Sequence, residues 1–356
     1  MFRRLSTLLS LTFVVLAFAG VVCSPTLSAA EKSPVTVYMY SEYIDPAVPA
    51  EFEKATGYPL RIEVYETAED MLAKLRSGAV NQYDVVVATD AYVVQMIKLN
   101  LVKKLDQAKI PNSKNVDAQF KSPSFDPGNA YSYPYQWGTV GMIYDTAKAP
   151  AGAKPSWSWL FDAKTGFGPF YLMDEARPQF GIALKHGGAS LNSRDPKTIK
   201  SAVDLLIATK GNPKCVGFAG GVDGKNKVLA GEATGAVVYN GDAVRAMGEK
   251  ATLAYSTCEG SNIWVDVLLM TSQAPNPEGA NAFINYVLDG KVAAQISNFN
   301  RYATPVAAAM PFITPADKAN AAIYPDAATM KTLEYLEDLG KDTRLHAEAW
   351  TAIKSR

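Results

Sequence analysis

Aromatic residues and carboxylates occur together where several predicted strands end. Tyr40-Ser41-Glu42 follows a first strand, Thr89-Asp90 a third and Asp174-Glu175 a later one. The pairing returns at Tyr239-Asn240-Gly241-Asp242 and, within a second extended stretch, at Trp264-Val265-Asp266. A carboxylate buried among rings is costly unless a cation neutralises it. The pattern therefore predicts a site for a positively charged ligand.

The residue types also indicate the kind of cation. Ring faces attract ammonium groups by about 0.5–2 kcal/mol each and pack against methylenes. An alkyl diamine or polyamine meets both conditions. Each acid taken alone is more often a helix cap and each aromatic a core residue, but the coincidence at five places favours a site.

The elements that must position these residues alternate between strand and helix. The first half of the chain predicts three strands, each followed by a helix, and Gly57 and Gly78 are placed to end two of those helices. The predicted order is Val35–Tyr40, 46–56, Leu60–Tyr65, 67–77, 83–88 and 91–101. This order indicates a doubly wound α/β fold with a mostly parallel sheet, which binds ligands at the carboxyl ends of its strands.

The second half of the chain repeats this order. Phe170–Met173 and 236–239 are predicted strands, and 175–186 and 195–210 are predicted helices. Two long extended stretches, 131–139 and 262–270, are suited to join two lobes that close about a hinge. Residues 220–225 resemble a phosphate-binding loop only faintly, and we interpret them as a flexible turn.

Composition excludes several classes of protein. The 356 residues carry 35 Lys and Arg against 35 Asp and Glu, so no basic field favours nucleic acid. His186 and His346 are the only imidazoles, which excludes most multi-histidine zinc sites. The chain has no G-x-S-x-G or H-E-x-x-H motif, and His186 is predicted to end a helix. We therefore expect no enzyme activity and no cofactor.

The first thirty residues predict a signal peptide. Arg3 and Arg4 precede an apolar run, and 28–30 are small residues suited to cleavage after Ala30. Cys23 could accept a lipid, but the bulky Val22 before it favours a soluble periplasmic chain. Removing two arginines leaves 33 basic and 35 acidic residues, a formal charge of 33 − 35 = −2.

Two cysteines remain in the mature chain, Cys215 and Cys258. Export to an oxidising compartment makes a disulfide between them possible. Two buried thiols are equally compatible with the sequence, which contains no geometry that decides between the alternatives.

Several motifs in order resemble the spermidine/putrescine-binding periplasmic proteins that serve ABC importers. The resemblance covers nearly the whole mature chain, and it is carried by Val37–Ile44, Tyr83–Val87, Phe125–Asn129, Pro134–Thr139, Trp264–Asp266 and Tyr324–Asp326. It implies a two-lobed type II periplasmic-binding fold, with residues 31–138 and 266–312 in lobe 1 and 139–265 and 313–356 in lobe 2. It also implies a monomer that closes on a polyamine and delivers it to a membrane permease.

The resemblance further implies which side chains meet the ligand. Asp266, Asp242 and Glu42 would bind amines, and Trp264, Tyr40 and Tyr239 would line the methylene channel. The remaining implied contacts are Ser41, Thr89, Glu175 and Tyr302.

The chain departs from the family at positions that set ligand length. Pro178 stands where many members carry a second glutamate, Ala91 where spermidine-type members have a tyrosine, and Leu336 where they have a glutamine. These changes favour a putrescine-like diamine over spermidine. Three alternatives remain. The ligand could be another small cationic amine or a ferric ion held by tyrosines, or the same pocket could serve a sensor.

Overall fold

The computed structural model describes residues 32–355. The predicted signal peptide, residues 1–30, and its cleavage after Ala30 lie outside the described residues. Within 32–355, no helix is long and apolar enough to cross a membrane.

Eleven strands are present among the described residues. They are β1 (Val35–Tyr40), β2 (Leu60–Tyr65), β3 (Val85–Thr89), β4 (Val102–Lys103), β5 (Ser132–Asp145), β6 (Phe170–Met173), β7 (Cys215–Ala219), β8 (Gly235–Tyr239), β9 (Leu253–Ser256), β10 (Asn262–Thr271) and β11 (Glu334–Tyr335).

Thirteen α-helices connect or cover these strands in the same part of the chain. They are α1 (Val48–Thr56), α2 (Ala68–Arg76), α3 (Asp90–Lys98), α4 (Ser158–Phe161), α5 (Ala176–His186), α6 (Pro196–Lys210), α7 (Gly221–Leu229), α8 (Asn240–Glu249), α9 (Pro277–Val287), α10 (Gly290–Asn300), α11 (Pro315–Lys318), α12 (Ala327–Met330) and α13 (Thr343–Ser355).

The local chemistry explains the first helices. The Thr67 hydroxyl accepts a 3.1 Å hydrogen bond from the backbone N–H of Asp70 and so caps α2, whose buried face is Met71, Leu72 and Leu75. Gly57 ends α1 at φ 76°, a left-handed conformation that glycine adopts without strain. These side chains fix the helices against β1 and β3 in the core.

The strands form one mixed sheet in the order β2-β1-β3-β10-β5-β8-β6-β7. The pairs among β1, β2 and β3 and among β6, β7 and β8 are parallel, as predicted. However, β10 pairs antiparallel with β3 and β5, and β5 pairs antiparallel with β8 and β9. The expectation of a mostly parallel sheet is therefore wrong, because the two long strands are antiparallel to each other and to every strand they pair with except β11.

The long strand β5 changes partners along its length. Residues from Ser132 to Thr139 pair with β10, whereas those from Val140 to Asp145 pair with β8 and β9. The sheet thus consists of a first half-sheet (β1–β4, β10, β11 and the start of β5) and a second half-sheet (the end of β5 and β6–β9). The lobe boundaries within these halves stay a prediction.

Two sequence-based interpretations need correction. Residues 220–225 do not form a flexible turn, because α7 begins at Gly221, and Gly224 lies close to Ala236 and Val238 of β8. Cys215 and Cys258 are free cysteines in the described residues, so the possible disulfide is absent. Cys215 lies on β7 at one edge, and Cys258 follows β9 beyond β8 and β5. Four strand spacings of about 4.8 Å exceed the reach of a disulfide.

Candidate ligand-binding site

A cavity lies where β1, β3, β8 and β10 bring their functional residues together. Its volume is about 50 Å³, room for about four water molecules at ~10–15 Å³ each. Nine of the ten predicted site residues line it: Tyr40, Ser41, Thr89, Glu175, Tyr239, Asp242, Trp264, Asp266 and Tyr302. We call it the ligand cavity.

Five aromatic side chains form a closed ring around the ligand cavity. Tyr40 and Tyr239 stand 6.3 Å apart between ring centroids, Tyr239 and Trp264 5.5 Å, and Trp264 and Tyr302 5.3 Å. Tyr43 completes the circuit at 5.4 Å from Tyr302 and 5.9 Å from Tyr40. All five contacts are edge-on or tilted, the geometry that aromatic pairs prefer, and a ring face that no neighbour covers can meet a cation or methylenes.

Asp266 is one of three buried carboxylates that meet this ring, with Glu175 and Asp242. It is 3% exposed, and its Oδ2 accepts a 2.7 Å hydrogen bond from the Tyr43 hydroxyl. Burial raises the pKa of Asp266 to about 7, against the lowering effect of that hydrogen bond. Within residues 32–355 it has no ion pair, so its charge lacks a protein counterion.

Glu175 is the second such carboxylate. Its Oε2 accepts a 2.7 Å hydrogen bond from the Tyr239 hydroxyl, whereas its buried Oε1 has no partner in the described structure. Burial raises the pKa of Glu175 well above its usual value, and the nearby Glu69 and Asp266 raise it further. A ligand ammonium placed between Glu175 and Asp266 would relieve both repulsion and desolvation.

Asp242 differs because the protein already supplies cations to it. Arg245 Nη2 lies 3.5 Å from Asp242 Oδ1, and the buried Lys225 lowers the carboxylate's pKa. Burial is the larger effect, and the pKa of Asp242 is raised to about 6. This end of the ligand cavity is therefore less negative than the Glu175 and Asp266 end.

Glu42, predicted to bind an amine, does not line the ligand cavity. Its backbone turns at φ 55°, and its carboxylate is ion-paired with Arg245 and, at 3.2 Å, with Lys225. The protein's own cations thus occupy the position expected for a ligand amine. These ion pairs connect the end of β1 with α7 and α8 of the second half-sheet.

Thr89 lines the ligand cavity, but its hydroxyl is engaged within the protein. It donates a 2.8 Å hydrogen bond to Asp90, the first residue of α3. Thr89 also pairs in register with Asp266 across β3 and β10, so the strand pairing itself brings these two predicted residues together.

Sequence reasoning missed several lining residues. Tyr43, Tyr92 and Arg177 contribute side chains, and Gly221 and Asn262 complete two walls. Tyr43 belongs to the same Tyr-Ser-Glu-Tyr run as Tyr40, and Arg177 follows the Asp-Glu pair directly. Proximity to a predicted contact was the only signal for them in the sequence.

The described residues contain no group of three or more His, Cys, Asp and Glu side chains that could hold a metal ion. Burial raises the pKa of Tyr40, Tyr43, Tyr239 and Tyr302 well above the usual value, with nearby carboxylates adding to it. These phenols are therefore protonated at neutral pH.

Two α/β half-sheets share the long strands β5 and β10, and the ligand cavity lies against β10. This is the architecture of the type II periplasmic-binding proteins. The chain belongs to the bacterial extracellular solute-binding protein family, whose model matches residues 47–344. Members of this family are substrate-binding proteins of ABC transporters.

Two relatives are similar to this chain over most of their length. The spermidine/putrescine-binding periplasmic protein of Escherichia coli K12 is 32% identical over 329 residues, which cover 92% of this chain and 93% of the relative. The putrescine/cadaverine-binding protein of Pseudomonas aeruginosa is 34% identical over 342 residues, covering 92% and 95%.

Solved structures agree with this fold. A structure from Listeria monocytogenes aligns with a TM-score of 0.84 at 32% identity, covering 90% of this chain and 98% of that one. The spermidine/putrescine ABC transporter substrate-binding protein from Streptococcus pneumoniae aligns at 0.76 with 29% identity, covering 91% and 99%. The resemblance found in the sequence motifs is thereby confirmed.

Proposed function

We propose that this chain is the extracytoplasmic solute-binding protein of an ABC importer and that its ligand is a short aliphatic diamine of the putrescine type. One observation carries the proposal. Two buried carboxylates, Glu175 and Asp266, have no cation partner among residues 32–355 and border a closed aromatic ring. A buried pair of like charges calls for a cationic ligand.

Charge balance supports a dication. Lys225 and Arg245 lie beside Asp242, whereas Glu175 and Asp266 make no ion pair among residues 32–355. Arg177 also lines the cavity, but its Nη2 donates to Asn192 and to the carbonyl of Glu337. Two ammonium groups would neutralise two carboxylates. A third ammonium, as in spermidine, would have to use Asp242 against the repulsion of Lys225 and Arg245.

The lining also supports a short ligand. Ala91, Pro178 and Leu336 line the ligand cavity and offer no polar side-chain atom to a secondary amine. The small volume of the ligand cavity, about 50 Å³, also favours a short ligand. A four- or five-carbon diamine requires polar partners only at its ends.

One observation favours a second candidate. Trp264 Nε1 and Arg177 Nε are buried donors without a partner in the described structure, and both residues line the ligand cavity. An ammonium cannot accept from them, whereas a carboxylate can. An ω-amino acid such as GABA therefore remains the alternative ligand.

Calorimetric titration of refolded, ligand-free protein with putrescine, cadaverine, spermidine, agmatine and GABA tests the proposal. We expect putrescine or cadaverine to bind most tightly. Asp266→Asn should weaken that binding by about 1.5–3 kcal/mol, the value of a hydrogen bond to a charged group. Tightest binding of GABA would favour the alternative, and failure of every amine to bind would overturn the proposal.

The cellular role has its own tests. The relatives' names support export to the periplasm and a role beside the permease subunits of an ABC transporter. We further propose that the protein acts as a monomer and does not bind nucleic acid. The intact mass of the exported protein should match a chain that begins at Glu31. Deletion of the gene should abolish uptake of labelled diamine. Normal uptake with a lost chemotactic or transcriptional response would instead assign a sensor role.

A further inference from the structure

Helix α5 begins beside the ligand cavity without the usual cap. Glu175 is its N-cap residue, but the Glu175 side chain makes no capping hydrogen bond and instead accepts one of 2.7 Å from Tyr239. An N-cap side chain ordinarily accepts from the backbone N–H of the second or third helical residue. The third residue of α5 is Pro178, which has no N–H. The first turn therefore offers Glu175 few capping partners, and its carboxylate is available to the ligand cavity.

The start of α5 receives an acceptor from elsewhere in the chain. Glu69 Oε1 accepts a 3.2 Å hydrogen bond from the backbone N–H of Ala176, the first residue of α5. The first hydrogen bond inside the helix runs from the N–H of Gln179 to the carbonyl of Glu175, at 3.2 Å. A carboxylate at this position also interacts favourably with the positive end of the helix dipole. Glu69 thus caps α5 in place of the Glu175 side chain.

This cap joins the two halves of the molecule. Glu69 lies in the first turn of α2, which follows β2 of the first half-sheet and packs on it. Helix α5 follows β6 of the second half-sheet and packs on β6, α6 and α13. The backbone that carries Glu175 is therefore held from the opposite half.

Glu69 lies next to Glu175 but does not line the ligand cavity. Its Oε2 is buried and has no partner in the described structure. Burial raises the pKa of Glu69, and the nearby hydroxyl of Tyr92, which does line the cavity, lowers it in part. After burial, the charge of Glu69 is the largest influence on the pKa of Glu175, which it raises. Glu69 can therefore influence Glu175 through position, through charge or through both.

We infer that Glu69 is a positioning residue for the ligand site: by capping α5 from the opposite half, it holds Glu175 where its carboxylate meets a ligand ammonium. The inference rests on the proposed function, because a diamine reports on it. Loss of the Glu69 acceptor leaves the Ala176 N–H unsatisfied. The first turn of α5 then shifts, and the adjacent Glu175 moves with it.

Two substitutions at Glu69 separate position from charge. Glu69→Gln keeps an oxygen that can accept from Ala176 and removes the charge, whereas Glu69→Ala removes both. We expect Glu69→Ala to weaken putrescine binding about tenfold or more in calorimetry, and Glu69→Gln to weaken it about threefold or less. Glu51→Gln, at an exposed acid in the first turn of α1, is the matched control and should leave affinity unchanged. Equal affinity of the two Glu69 variants would overturn the positioning role.

A double-mutant cycle tests whether Glu69 acts through Glu175. In the Glu175→Gln background, Glu69→Ala should weaken putrescine binding by less than about threefold, because the carboxylate that Glu69 positions is already gone. A general loss of structure would lower affinity by the same factor in both backgrounds, and that result would contradict the inference. Glu69→Met, of similar length but without an acceptor oxygen, replaces Glu69→Ala if the latter fails to fold.

Amide hydrogen exchange tests the cap without relying on diamine binding. In the ligand-free protein, the N–H of Ala176 should exchange about threefold faster or more in Glu69→Ala than in the wild-type protein and in Glu69→Gln. Equal exchange in the three proteins would overturn the cap even if putrescine binds. Faster exchange in Glu69→Ala, in a protein that binds no amine, would overturn the proposed function and leave the cap standing.

Discussion

The Tyr43 hydroxyl donates a 2.7 Å hydrogen bond to Asp266 Oδ2 across 223 positions of sequence. The backbone carbonyl of Tyr43 in turn accepts hydrogen bonds from Tyr135 at 2.9 Å and Asn300 at 3.1 Å. Asp266 is thus oriented by a phenol that is itself held from two directions. This arrangement directs one oxygen to Tyr43 and leaves Oδ1 for a ligand.

Ligand affinity should depend on pH because of Asp266. Burial raises its pKa to about 7, so the ligand-free protein holds a proton there below neutral pH, and a bound ammonium must displace it. Since the pKa values of Glu175 and Asp242 are raised as well, we expect putrescine affinity to fall about tenfold or more per pH unit below about 7. Titrations between pH 5 and 8.5 measure this slope.

The control for this effect is Asp266→Asn, which carries no titrating group. Its weaker residual binding should show a shallower slope, since only Glu175 and Asp242 then remain to titrate. An affinity that is flat from pH 5 to 8.5 in the wild-type protein would contradict the assigned role of Asp266.

The same carboxylate should reduce the stability of the ligand-free fold at alkaline pH. A raised folded-state pKa contributes stability below the unfolded value of about 3.9, and this is lost as pH rises through about 7. Asp266→Asn should therefore raise the free energy of unfolding at pH 8 by on the order of 1–3 kcal/mol and change it little near pH 4.

Urea unfolding at the two pH values checks this expectation. The exposed Asp223→Asn on α7 is the matched control and should change stability little at either pH. Equal effects of Asp266→Asn at both pH values would show that packing, not charge, is responsible.

The aromatic ring depends on glycines that leave room for it. A Cβ on Gly241 would lie 2.7 Å from the Tyr302 ring, whereas one on Gly248 of the same helix meets nothing within 4 Å. Gly241→Ala should displace Tyr302 and weaken putrescine binding about tenfold or more, since it disturbs two ring contacts. Gly248→Ala should leave affinity unchanged.

Calorimetry on this pair of variants separates ring geometry from helix propensity, because both replacements improve the propensity of α8. Near-equal affinity of the two variants would mean that the ring tolerates the shift. Tyrosine fluorescence of the ligand-free proteins gives a second readout of the displaced ring.

The sequence could predict strand ends more reliably than side-chain directions. The bounds of β1, β2 and β6 agree with the prediction, because apolar residues and flanking turn residues define them. Tyr43 and Glu42 show the limit of this approach. Glu42 adopts φ 55°, which nothing in its residue type requires, and that turn sends Tyr43 to the cavity and Glu42 to Arg245.

The sequence also could not predict features that depend on contacts between distant parts of the chain. The helix α7, which the sequence analysis missed, begins at Gly221, where two consecutive glycines usually indicate a turn. Gly221 packs closely against the ring of Tyr239, which a Cβ at this position would approach to 2.8 Å. The antiparallel direction of β5 follows from its pairing with β8 and β9, which are distant in sequence. Neither feature is encoded in a local pattern.

The ion pairs of Glu42 should stabilise the form in which the two half-sheets approach each other. Glu42 contacts Arg245 of α8 and the buried Lys225 of α7, two helices that pack on the second half-sheet, and it takes no part in lining the ligand cavity. Glu42→Gln should therefore speed dissociation of putrescine several-fold while leaving its association rate nearly unchanged. A double-mutant cycle with Arg245→Met should give a coupling energy of about 0.5–3 kcal/mol, the range for residues in one ion-pair network. The exposed Glu53→Gln on α1 is the control and should not alter either rate. If Glu42 instead binds a ligand amine, Glu42→Gln and Arg245→Met will act independently, with a coupling energy near zero.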